Sequence, residues 1–556
     1  MITESLPLTT DKSAGKSFAF NRIRDRLPLP LILFVQAVSS LVALRNTAFQ
    51  DEALYLLAGR QIFLAWLGKT PYVEPYGLYF SGYPSFYPVI GGGLDLLGGL
   101  ETARMFSLLC MLIVTCCVYS TTMHFFDRKS ALFAALFFAC EGSVLFLGRL
   151  ATYDAFCLCL LALATVFCLR AARATSARSV LALGPLLVLV VAAKYAGLLF
   201  VPIVLALLAW WCWKHRGLEE MLVRLGVAIL SLVAAGLFAF LNMDKQVLTG
   251  MSFTTTNRAS EGTPPFLVLQ HIAGMEGGFF ALGLLALLLC GKRRQPAGLL
   301  LFGSALLVPL YHTYKGELVS LDKHLAFSMF FLAPLAGFAV ASMLSNWQRY
   351  ALRSARLSWF IALALCLLAL LPGLQQARTL YGDWPSSTAL TSFLRARVQA
   401  GVGHYLAEDF DVLRYNLMDE TDIWQWSSLD YFVYTDKQNH NLSGEAAYKD
   451  AIQEGYFDLV ELSYGYHAPL DIQLAQRLAA GKQYDLIARI PTHNSYGSGY
   501  FWVWSRHAGV SRWAENGAGG ATTARIPKYP SMMPSQLIFP YGLLYTSTSI
   551  HCEMTL

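Results

Sequence analysis

The sequence predicts a polytopic α-helical membrane protein carrying a small α/β domain outside the bilayer. Three observations predict it. The 556 residues are 55% hydrophobic and only 14% charged, whereas a soluble domain is nearer to about a quarter charged. Apolar runs long enough to span a bilayer recur from residue 28 to residue 373. At residue 374 the chain changes character, and short strand-like runs begin to alternate with helical ones. The net charge of +6 is small for this length, and Lys and Arg fall in short clusters between apolar runs. That is the pattern of cytoplasmic membrane loops and not of a nucleic-acid surface.

The elements follow in order. Residues 1–27 are polar and basic with no cleavable signal pattern, so they read as a cytoplasmic segment before an uncleaved anchor. A span needs about 20 apolar residues. Candidates are 28–46, 101–123, 130–149, 153–171, 179–193, 195–213, 219–241, 271–290, 297–314, 324–343 and 356–373, eleven in all. The stretch 84–100, "PSFYPVIGGGLDLLGGL", is apolar but carries two Pro, five Gly and Asp95, which makes a poor spanning helix.

Charge parity decides its place. Basic clusters at 21–26, 127–129, 170–178, 214–216, 291–295 and 348–356 should all lie inside. The runs 28–46 and 101–123 already supply two crossings between the first two clusters, so 84–100 should lie along the outer interface. This gives an inner-membrane protein with the N-terminus cytoplasmic and the C-terminus outside. The expected division is a transmembrane domain over 28–375, with a first outer loop at 47–100 holding two juxtamembrane helices. An extracytoplasmic α/β domain at 376–508 and a loose Gly-, Ser- and Pro-rich tail at 509–556 follow. Ten of the eleven cysteines lie in apolar runs without CxxC spacing, so neither disulfides nor a cysteine-bound metal is expected.

The same parity gathers ionisable residues at outer ends of spans. Asp51 and Glu52 open the apolar helix 51–68. Asp154 sits with Arg149 and Tyr153 in "GRLATYDAF". Lys194 interrupts two spans in "AAKYAG". Arg258 lies in one outer loop, and His312, Lys315, Asp322, Lys323 and His324 crowd the next. Glu141 is inside a span, where a charge costs about 2.5–3.5 kcal/mol on insertion scales and so should face protein or water. Taken singly, Asp51 can be a helix cap, and Lys194 or Arg149 a snorkelling cation. Their coincidence at one face suits group transfer from a lipid phosphate. An acceptor hydroxyl needs a carboxylate base, and a leaving phosphate needs positive charge where its own charge develops. Asp51, Glu52 and Asp154 can also serve as hard oxygen ligands for Mg or Mn, although the chemistry requires no cofactor.

At these residues the chain resembles the GT-C superfamily of polyprenyl-phosphate-dependent glycosyltransferases. It is similar to the branch of protein O-mannosyltransferases and aminoarabinose–lipid A transferases. The resemblance covers roughly 28–343 and rests on "DEALYLLAGR", "YPSFYPVIGGGLDLLGGLETARMFSLL", "FLGRLATYDAF", "AAKYAGLLFVP" and "KHLAFSMFFLAPLAG". It implies a catalytic base in the first outer loop, matched by Asp51 with Glu52 beside it, and a second acid matched by Asp154. It implies a donor-phosphate lysine near a span break, matched by Lys194. Arg104 and Arg149 match recurrent arginines. The phosphate side thus comprises Lys194, Arg149, Arg258, Lys323 and His324, with Tyr153, His312, Lys315 and Glu141 as further candidates. One departure is clear: Gly82 and Tyr83 stand where aminoarabinose-type members carry Lys and Pro.

The implied activity is transfer of a hexose or pentose from a polyprenyl-phosphate donor, with inversion, to a lipid, glycan or protein hydroxyl. The alternative is a polytopic transporter or flippase. Such proteins often show paired repeats and broken helices, and no internal repeat is evident here.

Overall fold

A computed structural model describes residues 27–507 apart from 70, 72, 255–261, 351–354 and 466. The predicted segments 1–26 and 509–556 therefore lie outside the described residues. Chain order gives α1 Pro28–Ala43, α2 Gln50–Trp66, α3 Tyr87–Phe125, α4 Arg128–Cys140, α5 Gly142–Leu147, α6 Tyr153–Ala171, α7 Leu183–Ala193, α8 Val201–Arg216, α9 Leu218–Leu241 and α10 Lys245–Ser252. The bundle closes with α11 Pro265–Leu289, α12 Gln295–Ala305, α13 Leu307–Lys315, α14 Leu321–Tyr350 and α15 Ala355–Tyr381. Among the described residues, seven helices are long and apolar enough to cross a membrane; Pro28–Ala43 and Ala177–Ala193 are shorter apolar helices.

The breaks between these helices matter most for function. The stretch 84–100 is helical from Tyr87 on, and its helix runs into 101–123 with a kink at Gly98 and Gly99. Gly99 has φ +70°, which glycine adopts without a Cβ penalty. The expected single span 130–149 is two helices. Glu141 ends α4 and caps α5, its carboxylate accepting from Ser143 N at 3.0 Å and Val144 N at 2.9 Å. Lys194 has extended backbone between α7 and a 3-10 turn, Tyr195–Phe200, that leads into α8.

Helix α14 is the hub of the bundle. Its Leu325, Met329, Phe331 and Leu332 are fully buried in one apolar core with residues of α4, α6, α11 and α12. By contrast α9 turns Leu230, Phe238 and Leu241 outward. An apolar surface of that kind is normal only where lipid covers it.

After α15 the chain forms α16 Thr388–Arg395, β1 Tyr405–Ala407, α17 Phe410–Asn416, β2 Trp426–Ser428, β3 Val433–Thr435, β4 Asn441–Ser443, α18 Glu445–Gln453, β5 Leu459–Leu462, α19 Ala468–Ala480, β6 Tyr484–Asn494 and β7 Gly497–Arg506. The main sheet has the order β2-β1-β5-β7-β6; β2, β1 and β5 are parallel, while β5, β7 and β6 are antiparallel. Alternation along each strand builds two cores. Leu406, Val460 and Leu462 face one, with Tyr448 and Trp504; Tyr405, Ala407 and Leu459 face the other, with Phe501 and Leu394. The runs "HYLAEDF", "FDLVEL", "YDLIARI" and "YFWVWSR" thus contain β1, β5, β6 and β7. The region is the small α/β unit that the sequence predicts.

Candidate active site

Helix α2 is closed at its start by the Glu52 side chain. Phe49 N donates to Glu52 Oε2 at 2.8 Å, which fixes the first turn and leaves Asp51 on its outer side. Helix α14 begins at Ser320, whose φ of +63° is left-handed; for a residue with a Cβ this is a strained turn, of the kind that gathers at functional sites. That turn presents Asp322, Lys323 and His324 in succession. Lys323 Nζ donates to Asp51 Oδ2 and also lies 5.5 Å from the Phe49 ring centroid.

A second pair stands alongside. Lys194, at its helix break, donates to Asp154 Oδ1 in the first turn of α6. Lys194 Nζ is 2.6 Å from His324 Nε2, and His324 Nδ1 is 2.8 Å from His312 Nε2. His312 Nδ1 meets the Glu317 carbonyl at 2.9 Å. A carbonyl only accepts, so His312 carries its proton on Nδ1. With both rings neutral, His324 then donates from Nδ1 and offers a lone pair to the Lys194 ammonium. The Tyr153 ring centroid lies 5.2 Å from the same ammonium, and Tyr55 OH donates to Tyr153 OH at 2.7 Å.

The two acids differ in access. The Asp51 side chain is 31% exposed and Asp154 only 1%. Among the described contacts, Asp51 Oδ1 accepts no hydrogen bond, which leaves Asp51 the more open of the two acids.

Glu52 does not sit in this cluster as a second reactive acid. Its carboxylate is fully buried and accepts from Phe49 N, Ala151 N at 2.7 Å, Arg104 Nε at 2.8 Å and Arg104 Nη2 at 2.7 Å. These donors saturate it, and they tie α2 to α3 and to the loop before α6. Arg149 is also outside the cluster: its Nη2 donates to Glu101 Oε2 at 2.7 Å. Glu141 caps α5, and Lys315 occupies the last turn of α13. Arg258 lies outside the described residues. Neither Asp51 nor Asp154 lacks a cation of the chain's own, and among the described residues no group of three or more His, Cys, Asp or Glu is arranged to hold a metal.

The structure adds residues that sequence reasoning missed. Glu276 of α11 is fully buried, close to Glu141 and Ser328. Its signal was present, since an acid inside an apolar run is costly enough to need a reason. His271 Nε2 lies 2.6 Å from Asp322 Oδ1. Just past α15, burial and the nearby Asp322 push the Asp383 carboxyl up to about 7.

The departure at Gly82 and Tyr83 also acquires a physical meaning. Tyr83 N donates to Ala192 O and Tyr195 N to Ser81 O, each at 2.8 Å. The first outer loop therefore lies backbone-to-backbone against the break that holds Lys194. A Cβ at Gly82 would stand 2.4 Å from Ala193 O. The loop meets the lysine's backbone here, with no side chain of its own between.

Comparison with known proteins follows this geometry. Residues 84–238 match the family of dolichyl-phosphate-mannose-protein mannosyltransferases. ArnT from Cupriavidus metallidurans bound to undecaprenyl phosphate superposes with a TM-score of 0.52 at 14% identity, covering 87% of this chain and 98% of that chain. The chain has the GT-C fold. Its apo ArnT counterpart gives a TM-score of 0.53 at 15% identity, covering 90% of this chain and 99% of that chain. Archaeal oligosaccharyltransferase AglB from Archaeoglobus fulgidus, in complex with an inhibitory peptide and a dolichol-phosphate, gives 0.52 at 14% identity over 85% and 74%. No curated protein sequence matches the chain significantly. The fold and the family match over residues 84–238 agree with the resemblance seen in the sequence.

Proposed function

We propose that this GT-C protein is a membrane glycosyltransferase that moves a sugar from a polyprenyl-phosphate donor to an acceptor hydroxyl on the outer side of the inner membrane. The carrying observation is the pair of Asp–Lys contacts drawn from four separate elements, with one acid open and the other closed. Neighbours of the same fold were solved with undecaprenyl phosphate and with dolichol phosphate, which supports a lipid-phosphate donor.

Asp51 acts as general base through Oδ1. The acceptor oxygen forms a bond to the anomeric carbon as its proton passes to Asp51. The bond between that carbon and the phosphate oxygen breaks, and the lipid phosphate leaves with the electron pair. One base and no covalent nucleophile give inversion. Lys194 meets the leaving phosphate, while Asp154 and His324 aim its ammonium; Lys323 aims Asp51. An ammonium held at that point stabilises the charge that develops on the leaving group. Lys323, Lys194 and Arg104 face Asp51, Asp154 and Glu52, and Asp51 and Asp154 are the hard oxygen donors that would hold Mg or Mn if one binds. The sugar is a hexose or pentose and the acceptor a lipid, glycan or protein; the backbone contact at Gly82, in place of a cationic side chain, argues against an aminoarabinose donor.

The test is transfer by purified Asp51→Asn protein from a polyprenyl-phosphate sugar. A positioned base contributes about 10²–10⁴ in rate, so a loss in that range is expected. Turnover equal to wild type would remove Asp51 from the mechanism. A transporter with no transferase activity predicts no product from either protein.

A further inference from the structure

The connector after α15 and helix α17 grip the helix that carries Asp51, one at its entry and the other along its middle. At the entry, Asn46 Nδ2 donates to Tyr381 O at 3.0 Å and to Trp384 O at 2.9 Å. Trp384 Nε1 donates to Thr47 O at 3.0 Å, and Ser387 N to Thr47 Oγ1 at 3.1 Å. The Trp384 ring packs 5.0 Å from Phe49, on the residue that caps α2 and lies beside Lys323.

Further along α2, Val412 and Tyr415 of α17 share one apolar cluster with Leu56 and Leu57, and Met418 packs against it. Polar contacts surround this apolar seam. Tyr415 OH donates to Asp95 Oδ1 at 2.7 Å, and Asp95 also takes Arg60 of α2. Arg414 donates to Glu74 in the first outer loop, and Tyr79 OH donates to the other Glu74 oxygen at 3.1 Å. Arg414 and Asp95 are almost wholly buried. They belong to separate pairs, Arg414 with Glu74 and Asp95 with Arg60, and a buried charge is sensitive to loss of its partner.

From these contacts we infer that Arg414 and Tyr415 are positioning residues for Asp51, so that the C-terminal domain is part of the catalytic apparatus and not a separate acceptor module. The domain's contacts reach α2 and the loop at Glu74. The phosphate side, by contrast, is built by α6, the Lys194 break and α14. The grip therefore bears on the base more than on the donor. This rests on the assignment of Asp51 as base.

The experiment uses full-length purified protein and measures kcat, donor KM and binding of undecaprenyl phosphate. The variants are Arg414→Ala, Arg414→Lys and Tyr415→Phe, with Asp51→Asn alongside. A displacement on the order of 1 Å at a reacting group costs about 100-fold. Arg414→Ala is expected to lower kcat about 10- to 100-fold on that scale, with donor KM and lipid-phosphate binding unchanged. Arg414→Lys should recover part of the loss. Tyr415→Phe keeps the ring and removes only the Asp95 contact, so it remains readable if Arg414→Ala fails to fold; it should lower kcat severalfold. Wild-type kcat in both Arg414→Ala and Tyr415→Phe would overturn the inference, as would a parallel loss of lipid-phosphate binding. Wild-type turnover by Asp51→Asn would instead overturn the base assignment beneath it.

Discussion

Two regions of this molecule bury clustered acids, and they neutralise them in opposite ways. Where α2, α6 and α14 meet, each acid faces a lysine: Asp51 with Lys323, Asp154 with Lys194. At the carboxyl edge of β1 and β5 in the C-terminal domain, acids face one another. Glu408 accepts from Ser463 N at 3.0 Å and His467 N at 2.9 Å, Glu461 accepts from Glu408 N at 3.1 Å, and Asp471 accepts from Tyr464 N at 2.8 Å. Hydrogen bonds from Asp471, Ser463 and His467 overcome burial and hold Glu408 below the usual range. Burial and the adjacent Glu408 push Asp471 up to about 10 and Asp409 up to about 7. The first region carries charge of both signs and suits a transfer that releases an anionic leaving group. The second stores protons and backbone hydrogen bonds, and it suits holding a sheet together.

The largest effect that sharpens this contrast separates neighbours in sequence. Glu52→Ala removes the two-pronged partner of buried Arg104, which keeps Glu101 and the Asn46 and Thr47 carbonyls; breaking a buried pair costs about 3–5 kcal/mol. It should lower the thermal midpoint in detergent sharply, while Asp51→Asn should leave that midpoint near wild type and remove activity. If both variants melt alike, the division of labour between Asp51 and Glu52 is wrong.

Next in size is the phosphate side. Lys194→Met removes a charged hydrogen-bond donor worth about 1.5–3 kcal/mol, so donor affinity should fall about 10- to 100-fold on that scale. An unchanged donor affinity would return Lys194 to a structural role. Gly82→Ala acts on the same lysine from behind. Its new methyl meets the Ala193 carbonyl, and overpacking of this kind costs about 1–3 kcal/mol. Donor affinity should drop with little change in overall fold by circular dichroism; full retention would show that the loop yields.

The pH dependence of stability tests the second region. Asp471 and Asp409 have raised carboxyl pKa values in the folded state, so the folded domain binds protons that the unfolded chain has released. Their stabilisation is complete below about pH 4 and fades as pH rises through about 7 for Asp409 and about 10 for Asp471. Each retained proton sets a slope of at most about 1.4 kcal/mol per pH unit. Chemical denaturation of the full chain between pH 5 and pH 9 should show the sheet weakening as pH rises, and Asp471→Asn should flatten that slope. A sheet that strengthens toward pH 9 would contradict the account.

Much of this was legible in the chain. Asp51, Asp154 and Lys194 stood out because charges at the ends of apolar runs are costly enough to demand a partner. Helix α2, the change at residue 374 and the four strand-like runs were readable from residue pattern alone. Pairings were not. Lys323 with Asp51 spans 272 positions and Arg414 with Glu74 spans 340, and no local pattern encodes such partners. Glu52 looked reactive beside Asp51, because its partner Arg104 lies one helix away. Glu141 was visible as a charge in an apolar run, but not as a helix break, since hydropathy reports burial and not helix continuity.

The central claim is that Asp51 is the base while the Lys194 side binds donor. Single-turnover transfer and undecaprenyl-phosphate binding, measured together on Asp51→Asn protein, test it most directly. The account predicts unchanged lipid-phosphate affinity with a chemical step slowed about 10²-fold or more. A chemical step at the wild-type rate would contradict it.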